Sequence, residues 1–281
     1  MDIVSSPEEA LRGFPNRETG RDVSRYIRVE LHEVEGVPGE TAPRVVGHAP
    51  ASDYLRGPSG GVRAGALLTM LDSVGGLCGG LAALPEGWVV STNLSARSLP
   101  ATHVGPLRID AWVLRQGRAS VVTAVTIRDE GDGNALVVDG VLTSAVLVPE
   151  NGPPQWTRPL SLSPGEPLPG PVPTIAEWLG AHPVDATTIE MPLSETLRNP
   201  WGILHGGAVA SLVDVAAEHV TGGTITDVVL HFLAPNRVGP VRATAVPIGA
   251  GRRADGTVMR VEVRDVGADR VTALAIATSR Q

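Results

Sequence analysis

Two stretches of this chain are apolar on nearly every side. Residues 64 to 84, AGALLTMLDSVGGLCGGLAAL, carry one charge, Asp72, and residues 202 to 214, GILHGGAVASLVD, again hold one carboxylate, Asp214. A helix that is apolar all round is buried in a core or crosses a membrane. The first stretch is long enough for a span, yet the acid at its middle and glycines at 65, 75, 76, 79 and 80 predict a buried central helix instead. Segments rich in valine and threonine follow each of these helices: VVSTNLSARSL, LRIDAWVLRQG, ASVVTAVTIRDE and ALVVDGVLTSAVLV after the first, TITDVVLHFLA, VRATAVPIGAG, TVMRVEVRDV and RVTALAIATS after the second. Arg260, Glu262 and Arg264 alternate with Val261 and Val263, the period of a strand with one wet face. Short turns (RQGRA, GDGN, GAGRRADG, GADR) join consecutive strands and make them antiparallel.

The two halves repeat one another. GGVRAGALLTMLD (60 to 72) overlays GILHGGAVASLVD (202 to 214) at an offset of 142, placing Gly65 on Gly207, Ala66 on Ala208 and Asp72 on Asp214. STNLSARSLPATHVGP (91 to 106) overlays ITDVVLHFLAPNRVGP (225 to 240) at an offset of 134, with Thr92 on Thr226 and the triplet VGP shared. Between the halves, residues 151 to 173 hold eight of the chain's 24 prolines, which excludes a regular helix or a central strand across that stretch. The predicted organisation is an N-terminal extension (1–22), a first domain (23–150), a proline-rich linker (151–173) and a second domain (174–281). Each domain is α+β, an antiparallel sheet wrapped around a central apolar helix, the hotdog pattern.

Composition narrows the functional classes. The chain of 281 residues is 42% hydrophobic, enough for a sizeable core, and its formal charge of -7 with no long basic run argues against nucleic acid as a partner. A single cysteine, Cys78, excludes an intrachain disulfide framework, and the start, MDIVSSPEEALRG, is unlike a secretory signal, so a cytoplasmic protein is expected. Histidines 32, 48, 103, 182, 219 and 231 show no paired ligand spacing, and no metal site is expected.

Residues 199 to 214, NPWGILHGGAVASLVD, resemble the Asn-x-x-Gly-x-x-His-Gly-Gly signature, with Asp nine residues after His, of the phenylacetate-pathway type of hotdog acyl-CoA thioesterases, within the superfamily that includes hydroxybenzoyl-CoA thioesterase. The resemblance implies hydrolysis of an acyl-CoA to free acid and CoA with no cofactor beyond the substrate. Thioester hydrolysis requires a held oxyanion and an activated water. A helix N-terminus opened by glycines offers unpaired N–H groups and partial positive charge. Gly206 and Gly207 suit that task, Asp214 that of general base or nucleophile, and by resemblance His205 and Asn199 orient the thioester, the water or the loop.

In this family hotdog units pair side by side, and the partner strand contributes a serine or threonine. That position is Ser91, with Thr92 beside it, in the first repeat and Ile225 in the second. The first repeat is degenerate, with Gly57, Arg63 and Ala64 in the places of Asn199, His205 and Gly206, while Asp72 survives. One working site per chain is expected, with Arg63 and Asp72 forming an internal ion pair at the other. Arg97, Arg237 and Arg252 are candidates for the anionic CoA. Trp88, Trp112 and Trp201 are the residues on which an aryl group would stack, and the scarcity of Phe and Tyr favours aliphatic acyl groups. Two other readings compete: a non-catalytic acyl-CoA or lipid-binding hotdog protein, and a hotdog enoyl-thioester hydratase or dehydratase. A tandem chain supplies its own side-by-side pair, and a dimer or trimer of chains is plausible by the habit of such pairs.

Overall fold

A computed structural model of the chain describes residues 9–12, 23–36, 41–84, 87–99, 103–148, 155–157, 170–199, 202–249 and 256–280. The first half contains β1 (Glu9–Arg12), α1 (Val23–Ile27), β2 (Glu30–Glu35), β3 (Arg44–Ala49), α2 (Ala64–Ala83), β4 (Trp88–Ser98), β5 (Leu107–Gln116), β6 (Ser120–Asp129) and β7 (Ala135–Leu147). After β8 (Gln155–Thr157), the second half follows with α3 (Ile175–Leu179), β9 (His182–Pro183), β10 (Thr188–Met191), α4 (Gly206–Thr221), β11 (Thr224–Phe232), β12 (Val241–Pro247), β13 (Thr257–Asp265) and β14 (Arg270–Arg280). Among the described residues, the proline-rich stretch contributes β8, which pairs with β1 in a separate two-stranded sheet.

All other strands form one antiparallel sheet of twelve, in the order β2-β3-β5-β6-β7-β4-β11-β14-β13-β12-β10-β9. Its two halves are related by a pseudo-dyad at the junction of β4 and β11. There Ser95 pairs with Val229, its own repeat equivalent at the offset of 134. Helix α2 packs on β3 to β7 and α4 on β10 to β14. Although α2 has the length and hydropathy of a membrane span, most of that window is buried within the protein, the place expected for a core helix. Leu94, Ile109, Val125 and Leu142 around α2 share one continuous core with Leu230, Ala243, Val261 and Ala275 around α4.

The helices meet each other as closely as the sheet. Thr69 Oγ1 lies 3.0 Å from the Gly207 carbonyl oxygen and 3.2 Å from Ser211 Oγ, and Ser211 Oγ donates to the Gly65 carbonyl at 3.1 Å. Thr69 and Ser211 are themselves equivalents at the offset of 142. A Cβ added to Gly65 would stand 2.8 Å from Ser211 Cα, and one added to Gly207 would strike the Thr69 side chain. Glycine at the opening of each helix is therefore what lets each N-terminus sit against the other helix.

One loop in each half is held by an aspartate. The Asp265 carboxylate accepts from the backbone N–H groups of Arg237, Val238, Gly239 and Ala268, while Asp129 accepts from those of Val104, Gly105 and Gly131. Burial by itself would raise the Asp265 carboxyl, but these amides outweigh it and hold it below the usual carboxylate range. A lowered folded value gives stability that is present above the unfolded pKa and lost as pH falls through the folded one. Asp265→Asn is expected to cost about 1.5–3 kcal/mol at neutral pH. In thermal melts the gap to wild type should narrow below about pH 4; a gap that is constant with pH would exclude the charge as its cause.

Candidate active site

Each helix is preceded by the same loop. Asn199 N–H donates to the Ile203 carbonyl at 2.8 Å and Gly202 N–H to that of Asn199 at 2.9 Å, as Gly57 donates to Gly61 and Gly60 to Gly57 in the first repeat. An arginine clamps each loop: Arg198 bonds Glu195, the Gly202 carbonyl and the Arg237 carbonyl, and Arg56 bonds Asp53, the Gly60 carbonyl and the His103 carbonyl. The Asn199 side chain accepts from Ile203 N–H at 3.3 Å, closing the loop further. Sequence reading passed over this arginine pair, although Arg56 and Arg198 sit at the same offset of 142.

The loop ends at His205, which caps α4: its Nδ1 accepts from Gly207 N–H at 2.9 Å. An Nδ1 that accepts leaves the proton of a neutral imidazole on Nε2. The Gly207 amide is thus occupied by the histidine and is not an open donor, contrary to the expectation of two glycine donors. Gly206, the first residue of the helix, has no hydrogen bond to its N–H among the described residues.

The carboxylate beside this N-terminus is Asp72, and Asp214 lies elsewhere. Asp72 Oδ2 stands 3.5 Å from His205 Nδ1, and a Cβ added to Gly206 would fall 2.7 Å from the same oxygen. Ser91 Oγ donates to Asp72 Oδ1 at 2.7 Å. Because the helices cross at Thr69 and Ser211, an acid about two turns into one helix faces the opening of the other. Asp72 and Ser91, both from the first repeat, therefore join Asn199, His205 and Gly206 from the second. Asp72 is only 7% exposed and sits against the N-terminus of α4.

At the pseudo-equivalent place Asp214 is 2% exposed and bound by Arg63 Nε at 2.7 Å, while the same guanidinium also holds Glu218. The expected pair of Arg63 with Asp72 is therefore replaced by one with Asp214, since Arg63 opens α2 and meets the acid of α4. Burial works against the charge on Arg63, but Asp214 and Glu218 outweigh it and raise its pKa above the ordinary value. Burial raises the Glu218 carboxyl, Arg63 lowers it, and the neighbouring Asp214 charge adds to the rise, leaving it above the usual range.

Other candidates separate by strand geometry. Thr92 lies where the pairing of β4 with β7 shifts register, and its hydroxyl donates to the Thr143 carbonyl at 3.0 Å rather than to the site. Arg97 alternates with inward-facing Ala96 and so points outward, ion-paired with Asp227 at 2.5 Å. Arg237 is exposed in the loop whose Asn236 carbonyl accepts from Leu204 N–H, one residue before His205. Trp112 faces a shallow outer groove of about 290 Å³ with Arg44, Arg108 and Arg128, whereas Trp88 lies against Gly80 of α2. Arg252 and Trp201 fall outside the described residues.

Comparison with known proteins agrees with this architecture. Residues 60–136 match the thioesterase superfamily, and residues 197–279 match the acyl-CoA thioesterase N-terminal domain. Among solved structures the chain is similar to a 12:0-ACP thioesterase from Umbellularia californica (9% identity, TM-score 0.59, covering 84% of this chain and 94% of that one). It is also similar to a putative oleoyl thioesterase from Lactobacillus plantarum (12% identity, TM-score 0.56, 86% and 97% covered). An acyl-ACP thioesterase from Bacteroides thetaiotaomicron matches at 12% identity and a TM-score of 0.54, with 84% and 98% covered. With a thioesterase domain in each repeat and a double hotdog sheet around two crossing helices, the chain belongs to the thioesterase superfamily as a tandem hotdog thioester hydrolase.

Proposed function

We propose that the chain hydrolyses acyl-CoA thioesters at one site, built by Asp72 and Ser91 of the first repeat and by His205, Gly206 and Asn199 of the second. The observation that carries this reading is the Asp72 carboxylate, held by Ser91 at 2.7 Å and set against the N-terminus of α4. The thioester carbonyl oxygen takes the Gly206 N–H, with the Nε2 proton of His205 as a second donor. Asp72 removes a proton from water as the water oxygen bonds to the carbonyl carbon, and negative charge gathers on the carbonyl oxygen where the helix dipole offsets it. Collapse of the adduct breaks the carbon–sulfur bond, and the proton held by Asp72 passes to the departing CoA sulfur. Ser91, Asn199 and the Arg198 clamp are positioning groups.

Exposed Arg237, beside the His205 loop, is the candidate for a CoA phosphate. The mechanism needs no cofactor or metal, CoA esters as substrate suit a cytoplasmic setting, and a single chain supplies both halves of the site. Asp214 has no part in the chemistry in this reading, because Arg63 and Glu218 fill the place a substrate would take.

The test is thiol release from short, medium, long and aryl acyl-CoAs by the wild-type protein and by Gly206→Ala. The added methyl would displace the Asp72 carboxylate, and a misplacement of about 1 Å costs on the order of 100-fold in kcat/KM. Wild-type turnover with a loss of that order in a folded Gly206→Ala supports the reading. Binding of acyl-CoA without release of any thiol would identify an acyl-binding protein instead.

A further inference from the structure

The repeats differ at a position one turn beyond each carboxylate. Counting by the offset of 142 that pairs Asp72 with Asp214 and Arg63 with His205, Gly76 is the equivalent of Glu218. Residues four apart share a helix face. On α4 the Glu218 side chain reaches back over Asp214 to the Arg63 guanidinium and closes that site. On α2 the same place carries no side chain, and a Cβ built on half-buried Gly76 would have no atom within 4 Å. The pseudo-symmetry directs this opening toward His205, as Glu218 is directed toward Arg63.

Trp88 bounds the opening one turn further on, its indole lying where a Cβ of Gly80 would be. Opposite Ser91 on β7, and on the same sheet face, Ser144 is 1% exposed and its hydroxyl has no hydrogen-bond partner among the described residues. Gly76, Gly80, Trp88, Ser91 and Ser144 provide no cation, whereas exposed Arg237 lies on the loop side of His205. A phosphate-bearing arm therefore finds a cation on the Arg237 side, and the acyl arm leaving the same thioester carbon has the uncharged side, with the Trp88 indole, open to it.

We propose that the acyl group of the substrate lies over Gly76 toward Trp88, and that the absence of a side chain at Gly76 determines which acyl groups the site admits. This rests on the thioesterase reading of Asp72 and adds the direction and character of the acyl arm: apolar, extending past the α-carbon, with CoA leaving on the Arg237 side.

Binding of non-hydrolysable S-ethyl-CoA and S-octyl-CoA thioethers, measured by calorimetry, tests this separately from turnover. Gly76→Leu is expected to weaken S-octyl-CoA by about 10-fold or more while S-ethyl-CoA and free CoA bind as to wild type. Gly76→Ala should show the same preference to a smaller degree, which keeps the test available if the leucine variant folds poorly. Equal weakening of all three ligands would place the CoA arm over Gly76 and overturn the proposal, as would undiminished S-octyl-CoA binding by both variants or failure of wild type to bind either thioether. If wild type binds both thioethers yet hydrolyses no acyl-CoA, the thioesterase mechanism fails while the acyl berth is still judged by the Gly76 variants.

Discussion

Asp72→Asn is expected to lower kcat for acyl-CoA hydrolysis by about 10²–10⁴-fold, the usual contribution of a positioned general base, and Asp214→Asn to leave turnover close to wild type. The asparagine at 72 keeps the volume of the side chain and can still accept from Ser91, so Ser91, His205 and the α4 opening stay where they are. What it cannot do is take a proton from water. At 214 the same substitution removes one of two carboxylates on Arg63, and Glu218 still neutralises the guanidinium. Its effect should appear in the melting temperature, not in the rate. Initial rates with the best acyl-CoA, alongside thermal melts of both variants, make the comparison. Abolished turnover in Asp214→Asn with an active Asp72→Asn would reverse the assignment and return the chemistry to the Arg63 side.

Much of this arrangement was legible before any coordinates. Valine-rich alternation located the four strands that follow each central helix, the glycine-opened apolar runs located both helices, and the Asn199 to Gly207 motif located the loop and N-terminus of the candidate site. Asp214 is expected at the α4 opening because linear spacing puts it nine residues after His205, whereas the structure sets Asp72 there. Spacing along one helix carries no information about how two helices cross. Gly65, Gly207, Thr69 and Ser211 set that crossing through contacts between repeats, and those contacts give Asp72 to His205 and Asp214 to Arg63. The partner-strand residue expected at this opening, Ser91, belongs to the same repeat as Asp72 and holds it. Likewise, the amide of Gly207 was counted as an oxyanion donor because a backbone N–H looks the same in sequence whether or not a side chain has claimed it. The His205 ring claims this one.

Removing Arg63 should be strongly destabilising. Arg63→Met would leave Asp214, 2% exposed, without a counter-charge and beside a second carboxylate, Glu218, that already shares its field. Breaking a buried ion pair by deleting one partner costs about 3–5 kcal/mol, and at roughly 2–4 °C per kcal/mol for large domains the melting temperature should fall by roughly 6–20 °C. The loss should be greatest near neutral pH and shrink in acid as Glu218 takes up a proton, which its raised pKa lets it do at a higher pH than an ordinary glutamate. Replacing the whole buried pair with apolar side chains of similar size is often neutral, so Arg63→Met/Asp214→Leu should recover most of the lost stability, with the half-exposed Glu218 turning to solvent. Differential scanning fluorimetry of the single and double variants across pH decides this. A double variant no more stable than Arg63→Met would mean that the ion cluster holds the two helix ends in register, a role that apolar packing cannot replace. Recovery would mean that the second pseudo-site is closed by an ion cluster whose place apolar packing can take, with Arg63 needed chiefly to satisfy the buried carboxylate.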